Sequence, residues 1–313
     1  MSYTQTSSVS SDTTAFEQLA YFALRSQPMF EMVADVKTTN QSHPGSAVQF
    51  NIYNDLAQAT SALTEASDVS AVALSDTTVT VTLAEYGNAV ITTAKLRGTS
   101  FLNVDADAAN IIGYNMANSI DNVVHDVLVG GTNVLYGGDA TSTATLDATD
   151  NLDAGDIRQA VAAMRGDSAM PMDGNVYVGF IHPDVSFDLR EDTAVTDIIQ
   201  YQIRQDGAAV RAGSIGTFSG VDFIETPRLE ITADGGATTT DAYNTVICGK
   251  QALAKAHSRA AGFGSDPSVV FGPVTDTLRR FQPVGWYHLV GYSRFREASI
   301  QRIETSSSIG ANT

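Results

Sequence analysis

The residue types that do chemistry are sparse in this sequence, and their spacing decides what they can do. There are five histidines, none at the spacing of a metal site or a catalytic pair. His182, in Ile181-His182-Pro183-Asp184, follows an apolar run and is of a type that orients a reacting group or moves a proton. Turn chemistry accounts for it more simply: Pro183 fixes the backbone and Asp184 is expected to cap the next helix. His125, beside Asp126, is expected to be a satisfied histidine on a helix. Asp147, Asp150, Asp153 and Asp156 are oxygen ligands of the kind calcium takes. The run lacks the alternating acids, central glycine and closing glutamate of a calcium loop, so capping and a solvated loop are expected instead. The glycine pairs Gly213/Gly216 and Gly216/Gly220 match no nucleophile elbow or phosphate loop. Cys248 is the only cysteine and lies in the apolar run Val-Ile-Cys-Gly, which excludes an intrachain disulfide and predicts a buried thiol. No catalytic, cofactor-binding or metal-binding residue is assigned.

The elements that would position such residues point to a different use of the chain. Residues 48–54 alternate Val48, Phe50 and Ile52 with polar residues, which predicts a strand. In Thr77-Thr-Val-Thr-Val-Thr-Leu-Ala-Glu-Tyr-Gly-Asn-Ala-Val-Ile-Thr-Thr93 the residues Thr78, Thr80 and Thr82 alternate with Val79, Val81 and Leu83, the period of a half-buried strand. Residues 57–76 are small and polar, so 46–93 reads as one long two-stranded ribbon with an extended tip. Left uncovered, such a ribbon is marginal in water and exposes edges that pair with other chains.

After it, Ile111, Ile112, Met116, Ile120, Val123, Val124 and Val127 fall near the 3.6-residue period, predicting a long helix across 101–129. Asp105 and Asp107 suit its N-terminal end and Gly130-Gly131 its stop. Residues 132–151 read as a loop. Asp153 and Asp156 are spaced to open a second helix as a reciprocal cap. Beyond Gly174 the texture is mixed. Tyr177–Ile181 reads as a buried strand, 182–192 as a turn into a short helix, 213–229 as a glycine-punctuated strand pair, and 243–259 as strand then helix. The last forty or so residues are strand-rich. Residues 16–24 have helical spacing, behind a polar arm with neither a basic residue nor an apolar core.

Composition bounds the function. The chain has 313 residues, 43% of them hydrophobic, and a formal net charge of −17. That balance opposes sequence-specific nucleic-acid binding, and no stretch has the run of about 20 apolar residues that spans a membrane. The charge is segregated. No lysine or arginine lies between Thr38 and Ala94, where Asp55, Glu65, Asp68, Asp76 and Glu85 lie, and none between Phe101 and Ile157. The C-terminal part reverses the sign, with Arg279, Arg280, Arg294 and Arg296 among its cations. Such segregation suits one copy docking on another.

The order of parts (polar arm, projecting ribbon, long helix, mixed middle, returning strands) resembles the major capsid protein of tailed phages, the Hong Kong 97-type α+β fold. In texture it is similar to the family named for coliphage N-four. The stretches that carry the resemblance are 63–93, 176–192, 213–229 and 284–305. The resemblance implies an N-arm over 1–44, an extended loop over 45–94, a peripheral domain from 95–147 and 265–313 with 101–129 as its spine helix, and an axial domain over 148–264. It implies hexamers and pentamers closing into an icosahedral shell around double-stranded DNA, held without sequence-specific contact. It further implies a virion location after assembly in the host cytoplasm, a portal, and a cement or decoration protein as an optional partner. In the founding member of the fold a loop lysine bonds to a neighbour's asparagine. Residues 38–94 here hold no lysine, Lys37 and Lys95 standing only at the loop's base, so a non-covalent shell is expected. The arm is short for a fused scaffolding domain, so either a separate scaffold or an already processed chain is expected. An encapsulin-like compartment and a β-rich adhesin or tail protein are the alternative readings.

Overall fold

The computed structural model describes residues 28–36, 47–63, 65, 68–100, 104–192, 216–257, 268–273 and 276–309. In chain order the elements are β1 (Ala34–Val36), β2 (Ala47–Tyr53), β3 (Asp76–Thr82), β4 (Ala84–Thr93), α1 (Ala94–Thr99), α2 (Val104–Val129), β5 (Val134–Tyr136), α3 (Ala154–Gly166), β6 (Tyr177–Ile181) and α4 (Pro183–Glu191). There follow β7 (Thr217–Phe218), β8 (Val221–Glu225), β9 (Ile231–Thr232), β10 (Ala242–Cys248), β11 (Leu253–His257), β12 (Ser268–Phe271), β13 (Phe281–Arg294) and β14 (Ile300–Thr305). The expected helix over 16–24 lies outside the described residues. The chain forms two compact units, one from residues 1–25, 86–118 and 266–288, the other from 26–85, 119–265 and 289–313.

In the first unit β13 is flanked by β12, paired antiparallel from Ser268↔Tyr287 to Phe271↔Val284, and by β4. The approach of β4 is close enough to require glycine: a Cβ on Gly285 would lie 2.8 Å from the carbonyl oxygen of Asn88. Asn115 on α2 ties the sheet to the helix, accepting from the Trp286 indole at 2.9 Å and from Asn88 at 3.3 Å.

The second unit is built on a seven-stranded sheet in the order β5-β14-β10-β6-β8-β7, with β9 also on β10. Strand β10 is buried along its whole length because both faces are covered. Tyr243 and Ile247 point to a core with Ile157, Val161, Met164, Tyr177 and Leu189; Val246 and Cys248 point to another with Phe30, Val124, Leu128, Phe180 and Ile300. That period-2 division between two apolar layers gives the continuous hydrophobic run seen in the sequence.

The expectation for 243–259 is half met. The alanine-rich stretch after Cys248 favours helix by intrinsic propensity, yet it forms β11, hydrogen-bonded to β1 on one side and to the second half of β13 on the other. Two strand partners and complete burial outweigh a propensity worth tenths of a kcal/mol per residue. The loop expected over 132–151 likewise contains a short strand, β5, held parallel to β14.

The ribbon is shorter than its sequence pattern. Pairing of β2 with β3 runs from Tyr53↔Asp76 to Ala47↔Thr82 and ends there. After Leu83 the chain continues as β4, which pairs with β13 and not with β2, so 84–93 is no part of the ribbon. Val48 and Val81 face inward and pack on Ala254 and Ala256 of β11, while the alternating threonines face solvent. The expected face assignment holds.

Candidate assembly site

The acidic and histidine clusters of the sequence serve local structure. Asp153 accepts from the Asp156 backbone N–H at 2.8 Å, and Asp156 from that of Asp153 at 3.2 Å, the reciprocal cap expected for α3. Asp150 is buried and accepts from the Asp147 backbone N–H, and Asp147 accepts from Thr149. Among the described residues no group of three His, Cys, Asp or Glu is placed to hold a metal ion. Burial, with the charges of Asp153 and Asp150, pushes Asp156 up to about 6 against the hydrogen bond from Asp153.

A carboxylate whose folded pKa is raised binds extra proton in the native state, so its ionisation removes stability as pH rises from about 4 through 6. Asp156→Asn keeps the acceptor and drops the charge. Thermal melting of the unassembled chain at pH 7.5 is expected to rise by about 2 °C or more, with the gain vanishing below pH 4.

His182 is the N-cap of α4: its Nδ1 accepts from the Asp184 backbone N–H at 3.2 Å. The expected roles are exchanged, with the histidine capping and Asp184 in the first turn. A ring that must accept at Nδ1 is best neutral, and burial lowers its pKa in that direction. His125 is buried, accepts at Nε2 from Glu230 N–H at 3.0 Å and has Asp126 3.5 Å from Nδ1. Burial pushes the Cys248 thiol up to about 12, leaving it unreactive.

The surfaces built for contact lie elsewhere. Residues 54–75, between β2 and β3, form no regular element among those described. This tip exposes Leu63 at 77% and both Val72 and Leu74 at 73%. Asp55, Glu65, Asp68, Asp76 and Glu85 are likewise exposed. An exposed segment that is both apolar and acidic has the character of a contact surface. Among the described residues the ribbon is a two-stranded sheet, β2 with β3, so each strand has an edge that no described strand pairs with.

The basic candidates divide. Arg279 is exposed, with φ of +54°. Arg280 donates to Asp276 at 2.7 Å, lies over the Phe281 ring and stays 55% exposed. Arg296 is exposed. Arg294 is committed within its own subunit: it pairs with Glu297 at 2.6 Å and donates to the carbonyls of Val127 and Leu128 at the end of α2. Glu297 in turn accepts from Thr132 and Asn133 N–H, and hydrogen bonds from Arg294 and Thr132 hold its carboxyl below the usual range despite partial burial. Arg294 thus closes the open end of the long helix, a role no local pattern announces.

A second arrangement escaped the sequence altogether. Asp121, mid-way along α2, accepts from the backbone N–H groups of Met29 and Phe30 at 2.9 and 2.7 Å and pairs with Arg228 at 2.8 Å. Both side chains of the pair are almost fully buried. Only the odd placement of an acid on the apolar face of α2 signals it.

The sequence model of a family described as phage capsid protein matches residues 5–309. Among solved structures, the capsid of Ralstonia phage GP4 aligns over 97% of this chain and 98% of its own, at 18% identity and a TM-score of 0.75. The cyanophage Pam1 capsid aligns over 96% and 97%, at 14% identity and 0.76. The acid-stable capsid of Helicobacter pylori bacteriophage KHP30 aligns over 98% and 99%, at 12% identity and 0.72. At these identities the likeness is one of fold. Among curated proteins none matches by sequence.

Proposed function

The chain belongs to the phage capsid protein family, with the Hong Kong 97-type fold, and from that premise we propose that its shell is held non-covalently, by ribbons laid across neighbouring copies. It is a structural subunit of an icosahedral virion shell; the compartment and adhesin readings are not favoured. The observation that carries the proposal is the ribbon tip: exposed, apolar and acidic, joined to a root packed in the core, and without a lysine between residues 38 and 94.

In this reading residues 1–44 are the arm, 45–94 the extended loop, 95–147 with 265–313 the peripheral domain and 148–264 the axial domain, and the copies form hexamers and pentamers. A separate scaffold guides assembly in the host cytoplasm, a portal occupies one vertex, and a cement protein is the natural reinforcement where no covalent bond forms. Packaged DNA is enclosed without sequence-specific contact, as the acidic balance requires. Catalysis has no part in the role.

Strength comes from buried apolar area and strand pairing at the ribbon edges. Charge sets register: away from the tip, the acidic Asp76 and Glu85 face a neighbour's Arg279 and Arg280, each exposed pair contributing about 0–1 kcal/mol. On a denaturing gel, purified mature particles are expected to run as single chains, and a ladder of multiples overturns the non-covalent reading. Arg279→Glu with Arg280→Glu is expected to lower the yield of closed particles about threefold or more, read by sedimentation. An unchanged yield removes these residues from the contact.

A further inference from the structure

We propose that Lys250 and Arg296 form a socket for a carboxylate of a second copy of this chain, supplied by the acidic tip of that copy's ribbon; the proposal rests on the shell reading above. Three segments distant in sequence enclose a cavity of about 260 Å³: the turn after α3 with Asp167 and Met170, the β10–β11 turn with Lys250 and Gln251, and the β13–β14 link with Arg296 and Ser299. Main chain fixes its walls. Lys250 N–H donates to the Met170 carbonyl at 2.7 Å and Gly249 N–H to that of Ser299 at 2.8 Å. Gln251 holds a left-handed φ of +60° at the bend. The cations therefore stand on a braced frame and not on a loose loop.

In a chain of net charge −17 the partly buried cations are paired, as Arg228 is with Asp121, Lys255 with Glu31 and Arg302 with Glu304. Lys250 and Arg296 are exposed and, among the described residues, neither side chain has an ion-pair or hydrogen-bond partner. Asp167 is the only carboxylate lining the cavity, so the socket keeps a net positive charge. A guanidinium fork beside an ammonium suits a carboxylate, the fork fixing its plane and the lysine adding a point charge.

Every assembling copy brings a carboxylate-bearing ribbon tip to its neighbours. Asp55, Glu65 and Asp68 stand exposed on it, in a segment whose sequence carries no lysine or arginine. An unstructured tip of this length reaches about 35 Å from the end of β2 when its two arms are extended. Charge complementarity thus selects the occupant.

The test is Lys250→Glu with Arg296→Glu in the full chain. The assembled fraction is expected to fall about tenfold, while the melting temperature of the unassembled chain stays within about 2 °C of the parent. Reversing the tip in the same chain, with Asp55→Lys, Glu65→Lys and Asp68→Lys, is expected to restore assembly. Where the reversal itself disturbs folding, Lys250→Gln with Arg296→Gln replaces it, and assembly of this variant is expected to respond less to added salt than that of the parent. Parental assembly by the reversed socket, lost assembly that the tip reversal does not restore, or an unaltered salt response in the neutral variant each overturns the socket and leaves the shell reading intact. A parent chain that forms no particles when supplied with its scaffold overturns the shell reading itself.

Discussion

Asp121→Ala is expected to destabilise the unassembled chain by about 3–5 kcal/mol, measured by urea unfolding. The substitution removes the carboxylate partner of Arg228, whose side chain is 7% exposed, while Asn122 stays as a neutral acceptor. It also removes the acceptor of two backbone N–H groups, those of Met29 and Phe30. Asp121→Asn retains an acceptor for the N–H groups but not the charge, and is expected to fall between the two. Asp121→Ala with Arg228→Met recovers part of the loss, because both members of the buried pair are then removed together. A loss below about 1 kcal/mol for the first variant would mean that water reaches the pair and that it does not anchor the chain after residue 28 to α2.

Gly291→Val is expected to abolish assembly while leaving most of the secondary structure in place. A Cβ at this position would lie 2.3 Å from the carbonyl oxygen of Thr82 and 2.9 Å from Val81. The first is backbone, which cannot rotate aside, so β3 must shift away from β13. The shift acts at the root of the ribbon, where Val48 and Val81 pack on Ala254 and Ala256 and the Phe50 ring meets that of Phe295 edge-on at 6.2 Å. Overpacking of this kind costs about 1–3 kcal/mol within the subunit. In the shell the same displacement is carried to the tip of every copy, and a particle yield at least about tenfold lower is expected by sedimentation, with circular dichroism near that of the parent. Parental yield would show that the ribbon is positioned by something other than this contact.

Much of this architecture is legible in the sequence where the pattern is local. The threonine–valine alternation of β3, the periodic apolar face of α2 and the Asp153/Asp156 cap each depend on residues within a few positions of one another, and each forms as its spacing predicts. What escapes is decided by distant partners. Nothing around Leu83 says that the strand pattern changes partner there, because β13 lies about two hundred residues further on. The alanines of β11 favour helix until β1 and β13 close on both sides. Arg294 reads as one more cation in a basic tail, yet it is held at 15% exposure by the carbonyls that end α2.

The acidic surface is different: the sequence displays its charges, and the structure displays their exposure. Charge segregation is thus visible from composition alone, while the division of the basic residues into committed and available ones requires the fold.

The most direct test of the account is electron cryomicroscopy of particles assembled from the purified full chain with its scaffold. The account predicts closed icosahedral shells in which density for residues 54–75 lies against an adjacent subunit, with no covalent link between chains. Shells in which that segment folds back on its own subunit, or preparations that yield only monomers or open filaments, would contradict it.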